Sequence, residues 1–210
     1  MANKTAPSGL KPLRQATGGP FTGQKVECVM LASEGNATFI GDLVGLNTAS
    51  AGAGATINGR DLEGMPSVTK LTGTVATGQS VYGVVVGFLP DPTNLAQKHR
   101  SASTLRIAIV NVDPQTVYEC QEDATGNVLA AADMGLKASY NAGSGTTSTG
   151  VSTGTINNAS KNTTATLPLT ILGLVKRPDN AFNTAGTGSD EAKFEVMVNM
   201  GVFTDNTAGA

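Results

Sequence analysis

"LRIAIVNVDPQTVYECQEDATGNVL" (105–129) decides the fold. Residues 103–112 alternate, with Leu105, Ile107 and Ile109 set against Arg106, Ala108 and Val110. Asp113-Pro114 interrupts, and 115–122 resumes as "QTVYECQE", which is the chemistry of a hairpin. The second run also crowds Glu119, Cys120, Glu122 and Asp123 together. On a strand, Tyr118, Cys120 and Glu122 share one face, and Glu119, Gln121 and Asp123 the other. Glu119 and Glu122 therefore point apart, so this strand alone cannot make them an acid/base pair. Asp123 precedes "ATGN", a turn in which aspartate bonds its own backbone. The expectation is a strand running out of its sheet into a polar turn.

Working outward, further strands are expected at 25–31, 37–46, 66–75, 80–90, 167–178 and 192–203, each alternating or continuously apolar and bounded by Gly, Pro or Asn. Gly41-Asp42, in the middle of an apolar run, predicts a bulge or tight turn. One helical turn is expected around 129–134, ending at Gly135. Eight or nine short strands and no long amphipathic helix predict an all-β fold, a barrel or jelly-roll-like β-sandwich. Residues 1–24 read as an extended N-terminal arm, broken by Gly9, Pro12, Gly18, Gly19 and Pro20 and made basic by Lys4, Lys11 and Arg14. Such an arm is expected to lie across a neighbouring molecule. Residues 25–210 form the β-rich domain, with a long Thr/Ser/Gly-rich loop of low complexity at about 141–166.

Composition narrows function by exclusion. Net charge is −2 and only 14% of the 210 residues are charged, which does not suit a nucleic-acid or anionic-membrane partner. No apolar run reaches the length of a membrane span, and no secretory signal is read in the opening residues. The sequons at 36–38, 158–160 and 162–164 are then chance matches in a Thr-rich chain. Cys28 and Cys120 stand apart, without a CxxC, and read as half-buried thiols, a disulfide being the alternative.

Catalytic and metal motifs are weak. His99, the single histidine, lies in "NLAQKHRSAS" beside Lys98 and Arg100 and is expected in a solvated loop. Zinc would need too many carboxylates. "EDATGN" lacks the acid spacing of an EF-hand. No serine sits in a GxSxG elbow, and "GSGTTSTG" has no lysine to cradle a phosphate. No cofactor is expected. An enzyme would require the fold to bring together an acid pair, such as Glu119 with Asp42 or Glu195. "GLVKRPDNAF" (173–182) reads as a charged corner in which Arg177 and Asp179 are candidates for contact with a neighbouring subunit.

Five features in order, "GLKPLRQATGGPF" (9–21), "GDLV" (41–44), "GVVVGF" (83–88), "VDPQTVYECQED" (112–123) and "LGLVKRPDN" (172–180), resemble a family of tailed-phage virion proteins encoded beside the major capsid protein. The resemblance implies a structural protein of the phage head, a decoration (cement) protein bound to the capsid lattice, with no catalytic residues. It implies the major capsid protein and further copies of the chain, as trimer or dimer, as partners. It places the protein in the virion, after synthesis in the host cytoplasm. A head–tail connector, tail or fibre-base protein is the alternative. Candidate capsid or subunit contacts are Leu10, Lys11, Leu13, Arg14, Phe21, Lys176, Arg177 and Asp179.

Overall fold

The computed structural model describes residues 3–76, 78–124, 127–182 and 191–199. The strands are β1 (Lys11–Gln15), β2 (Lys25–Met30), β3 (Leu43–Leu46), β4 (Thr56–Ile57), β5 (Arg60–Asp61), β6 (Val68–Lys70), β7 (Thr74–Val75), β8 (Gly83–Phe88), β9 (Arg106–Asn111), β10 (Thr116–Gln121), β11 (Lys137–Asn141), β12 (Thr155–Asn162), β13 (Leu169–Leu174) and β14 (Lys193–Val198). Among the described residues a single 3-10 turn, Ala131–Asp133, stands where the helical turn is expected. The class is all-β.

Two antiparallel sheets carry the fold. The larger has the order β1-β10-β14-β13-β11-β12, with β7 also on β11; the smaller has the order β2-β9-β8-β3-β6; β4 and β5 form a separate hairpin. Both sheets curl without closing into a barrel. The smaller returns through a bridge between Val29 and Ser67, and the larger through one between Glu122 and Ile156.

The main core lies where the sheets face each other. Tyr118, Cys120, Ile171, Phe194 and Val196 from the larger sheet meet Leu43, Val81 and Val84 from the smaller one and its approach. The opposite face of the smaller sheet buries Cys28, Met30, Val44, Val68, Val85, Ala108 and Val110. The central strand β8 thus buries Val84 on one side and Val85 on the other, which is why it reads as continuously apolar rather than alternating. Cys28 and Cys120 are free thiols, fully buried in different clusters. Burial pushes Cys28 up to about 12, so it stays protonated and packs as a small apolar group.

Three expectations need correction. The opening segment does not reach away from its domain. β1 pairs antiparallel with β10, and Leu10 is wholly buried in the main core. Edge position tolerates Pro12, because its missing N–H is needed by no neighbour there. The low-complexity stretch is not one long loop. Its second half is β12, the longest strand, paired to β11. Its buried face carries Ile156 and then Asn158, whose amide donates to the carbonyls of Asp123 and Asn127. With an asparagine where an apolar residue is expected, the period-2 signal vanishes. Third, the two cysteines are not half-buried, since both side chains are 0% exposed in packed clusters. The last strand ends at Val198; residues 200–203 of the expected run lie outside the described residues.

The docking of the opening segment turns on two glycines. Gly9 and Gly41 both have positive φ, +62° and +95°. A Cβ on Gly41 would stand 2.6 Å from the Ser8 carbonyl oxygen, and one on Gly9 2.6 Å from that of Gly41. Leu10 N–H donates to the Gly41 carbonyl at 3.0 Å across this approach. Gly41→Val is expected to lift the segment, because both the conformation and the contact exclude a side chain. Limited proteolysis should then cut within residues 4–20 at least tenfold faster, an order-of-magnitude expectation for freeing a docked segment. Unchanged cleavage there would refute the account.

Candidate functional site

Glu119, the residue that raised the question of catalysis, sits on the face of β10 turned away from the core yet is 3% exposed. The strand register sets Lys11, Glu119 and Glu195 side by side across β1, β10 and β14. The corner after β13 brings Arg177 over Glu119, with Nη1 and Nη2 donating to its two oxygens at 3.0 and 2.9 Å. Lys193 Nζ stands 4.0 Å away. Arg14 Nη2 donates to Glu195 at 2.6 Å. Glu119 and Glu195 are therefore neighbours, as an acid pair would have to be, but each carboxylate is held by its own arginine.

The opening segment covers the rest of this face. Ala6 N–H donates to the Gln121 side chain at 2.9 Å, and Thr5 Oγ1 donates to Glu191. Asn3 Nδ2 donates to the Ala181 carbonyl at 2.9 Å and its Oδ1 accepts from Ala181 N–H at 2.8 Å. Of the residues expected to make contacts, Leu10 is withdrawn, since it belongs to the protein's own core. Arg14 and Arg177 form ion pairs within the chain. Lys11, Lys176 and Asp179 are exposed around them, while Leu13 and Phe21 are half-buried. Phe21 lies under the Lys25 ammonium, 5.9 Å from ring centroid to Nζ.

A second polar cluster joins the two sheets. The turn at Gly41 aims Asp42 inward, 1% exposed. Its Oδ1 accepts from Ser152 Oγ at 2.6 Å, and its Oδ2 from Phe39 N–H at 2.8 Å and Lys70 Nζ at 2.9 Å. Lys70 also donates to the carbonyls of Gly143, at 2.7 Å, and Ala37, at 3.3 Å. Tyr140 OH donates to the Gly41 carbonyl at 3.2 Å. Burial outweighs the attraction of Lys70 and holds the Asp42 carboxyl above its usual range. Burial, and then the Asp42 charge, push the Tyr140 phenol well up. The sequence reading placed a turn at Gly41-Asp42 but missed Lys70, whose signal is a lone charge inside the alternating run 66–75.

The third cluster overturns the solvated-loop reading of His99. Its ring stacks on Phe39, 4.9 Å between centroids and 8° from parallel. Arg100 beside it is 0% exposed. Arg106, on β9, donates to the carbonyls of Leu89, Gln97 and His99. Burial, and then the charge of Arg106, lower the pKa of His99. The unfolded chain therefore binds this proton more readily. The contribution of neutral His99 is complete above its unfolded value of about 6.5 and is lost as pH falls through its lower folded value. Lys70 Nζ stands 5.6 Å from the centroid of the same Phe39 ring. Urea titrations at pH 7 and pH 5 should show a loss of stability for the wild type that is smaller in His99→Gln; equal losses would refute it.

Among the described residues, no three His, Cys, Asp or Glu side chains are grouped to hold a metal ion, and no helix is long and apolar enough to cross a membrane. No family model, curated protein or solved structure matches the chain.

Proposed function

We propose that the chain is a virion structural protein that decorates and stabilises a phage capsid by binding between major capsid protein subunits. One observation carries this reading. The five features that resemble the tailed-phage family form one contiguous scaffold. Leu10 of the first donates to Gly41 of the second. Gly41 N–H in turn donates to the carbonyl of Val85 in the third. β1 of the first pairs with β10 of the fourth, and Glu119 of the fourth is gripped by Arg177 of the fifth. Their polar side chains are used to hold strands together, which suits a part whose task is mechanical.

A cement protein stabilises by mass action, binding the assembled lattice in preference to its separated subunits. Many equivalent copies make modest contacts sufficient. The exposed charges Lys11, Lys176 and Asp179 rim the covered face of the larger sheet and are the contacts this reading retains. The test is the copy number of the chain in purified particles, by quantitative mass spectrometry against the major capsid protein. A ratio near one, or a simple fraction such as about one third, is expected for a lattice-wide decoration. A count of about six to twelve would assign the chain to a connector or tail ring. Absence from particles would refute a structural role.

A further inference from the structure

β4 and β5 form a hairpin of two residues a side, paired to neither large sheet. Its register sets Ile57 against Arg60, so Asn58 and Gly59 are the whole turn. Both have positive φ, +54° and +75°, and both are exposed. This is the one Asn-Gly step in the chain. Among the described residues, neither the Gly59 N–H nor the Asn58 amide has a hydrogen-bond partner. A Cβ added at Gly59 would meet nothing within 4 Å, so the approach to its peptide nitrogen is open. Other asparagines are held. The amides of Asn111, Asn158 and Asn180 donate at 2.6, 2.9 and 2.7 Å to the Tyr118 hydroxyl and to the carbonyls of Asp123 and Val175. Each of those three is followed by Val or Ala, whose Cβ crowds the next nitrogen.

We propose that Asn58-Gly59 is a self-modifying site, which converts with time to aspartyl and isoaspartyl linkages and so opens the hairpin. The Gly59 peptide nitrogen, having lost its proton to solvent, attacks the carbonyl carbon of the Asn58 side chain. A C–N bond forms, the bond from that carbon to Nδ2 breaks, and Nδ2 takes up a proton and leaves as ammonia. A water molecule then opens the five-membered imide at one of its two carbonyls. Opening at the side-chain carbonyl leaves an ordinary aspartyl residue. Opening at the main-chain carbonyl leaves a chain that runs through Cβ and Cγ, one atom longer. Ring closure requires the turn to open, and a hairpin this short, outside both sheets, opens readily. A two-residue turn cannot absorb the extra atom with Ile57 still opposite Arg60. The bond from Leu62 N–H to the Ala55 carbonyl, 3.0 Å, and the packing of Ile57 against Leu62 and Ile107 are then lost. Either product adds a carboxylate two positions before Arg60, whose guanidinium pairs with Glu27. The chemistry needs neither a capsid nor a second copy.

Peptide mapping by mass spectrometry on the full chain, held in mildly alkaline buffer, tests the site. The peptide containing Asn58 is expected to gain about 1 Da before any other asparagine-containing peptide does, and to split into two chromatographic forms. Conversion should slow in mildly acidic buffer, where less of the Gly59 nitrogen is deprotonated. It should run within roughly a hundredfold of the rate in a synthetic peptide of residues 54–62, the gap being the cost of opening the hairpin. Asn58→Gln, which could close only a less favoured six-membered ring, should leave this peptide unchanged over the same period. The isoaspartyl form should be cut by protease within residues 53–62 roughly tenfold faster than the unconverted chain. Freshly prepared Asn58→Asp, which adds the charge without lengthening the chain, should not be. First conversion at another asparagine, or no conversion of the folded chain over about a hundred half-lives of the peptide, overturns the site. Unchanged proteolysis of the isoaspartyl form overturns the opening of the hairpin.

Discussion

Replacing Arg100 by alanine is expected to cost on the order of 3–5 kcal/mol, near the upper end for a single substitution. Its guanidinium is wholly buried, with carbonyls arrayed around it. Nε donates to Thr104 at 2.9 Å, Nη1 to Asn36 at 2.6 Å, and Nη2 to Leu31 at 2.6 Å and Glu34 at 2.9 Å. Its backbone exchanges two further bonds with Thr38. One side chain thereby closes the loop after β2 onto the loop before β9. Alanine would leave four carbonyls short of the donor that now satisfies them. Burial lowers the Arg100 pKa, the Glu34 carboxylate opposes that, and an arginine remains charged throughout the working range. Arg100→Lys should recover only a minor part, since an ammonium cannot span a planar fork of acceptors. Thermal unfolding should fall by roughly 10 °C for the alanine variant in a domain of this size. A shift of about 2 °C or less would show that these carbonyls find other donors.

Asp42→Ala should be nearly as damaging, at about 3–5 kcal/mol, for a different reason. It strands the Lys70 ammonium, 7% exposed, with two carbonyls and no counter-charge. The pair itself contributes little net stability, because burial alone holds the Asp42 carboxyl above its ordinary range. A carboxyl raised in the folded state favours folding below its unfolded pKa, and that contribution is lost as pH rises through the folded value. Asp42 therefore adds nothing to a loss of stability in acid, whereas the lowered pKa of His99 does, and those of Glu34 and Asp133 act in the same direction at lower pH. Lys70→Met in the Asp42→Ala background should restore part of the stability, with a coupling of about 1–3 kcal/mol in a urea-denaturation cycle. Additive single effects would sink the claim that the two charges depend on each other.

Local pattern carried the alternating strands. β2, β9, β10, β13 and β14 fall within the expected runs, with Val26, Cys28 and Met30 packed on one side of β2 and Phe194, Val196 and Val198 on one side of β14, as alternation requires. Pattern failed where the buried residue is polar or the element is very short. β12 hides behind Asn158. The β4–β5 hairpin carries its own signal, Asn58-Gly59 with both residues at positive φ, and was missed because each strand has two residues.

The sequence by itself determined the all-β class, the main strands and the side of β10 on which Glu119 stands, because alternation is a property of neighbours along the chain. Only the tertiary structure decided what the charges do. Arg100 meets Leu31 across 69 positions, Arg177 meets Glu119 across 58, and Ser152 meets Asp42 across 110. No spacing along the chain encodes such pairs, since each becomes close only when the sheets have curled and packed. The same packing turned the opening segment inward: Leu10 finds apolar surface in its own domain, and burying it there needs no second molecule.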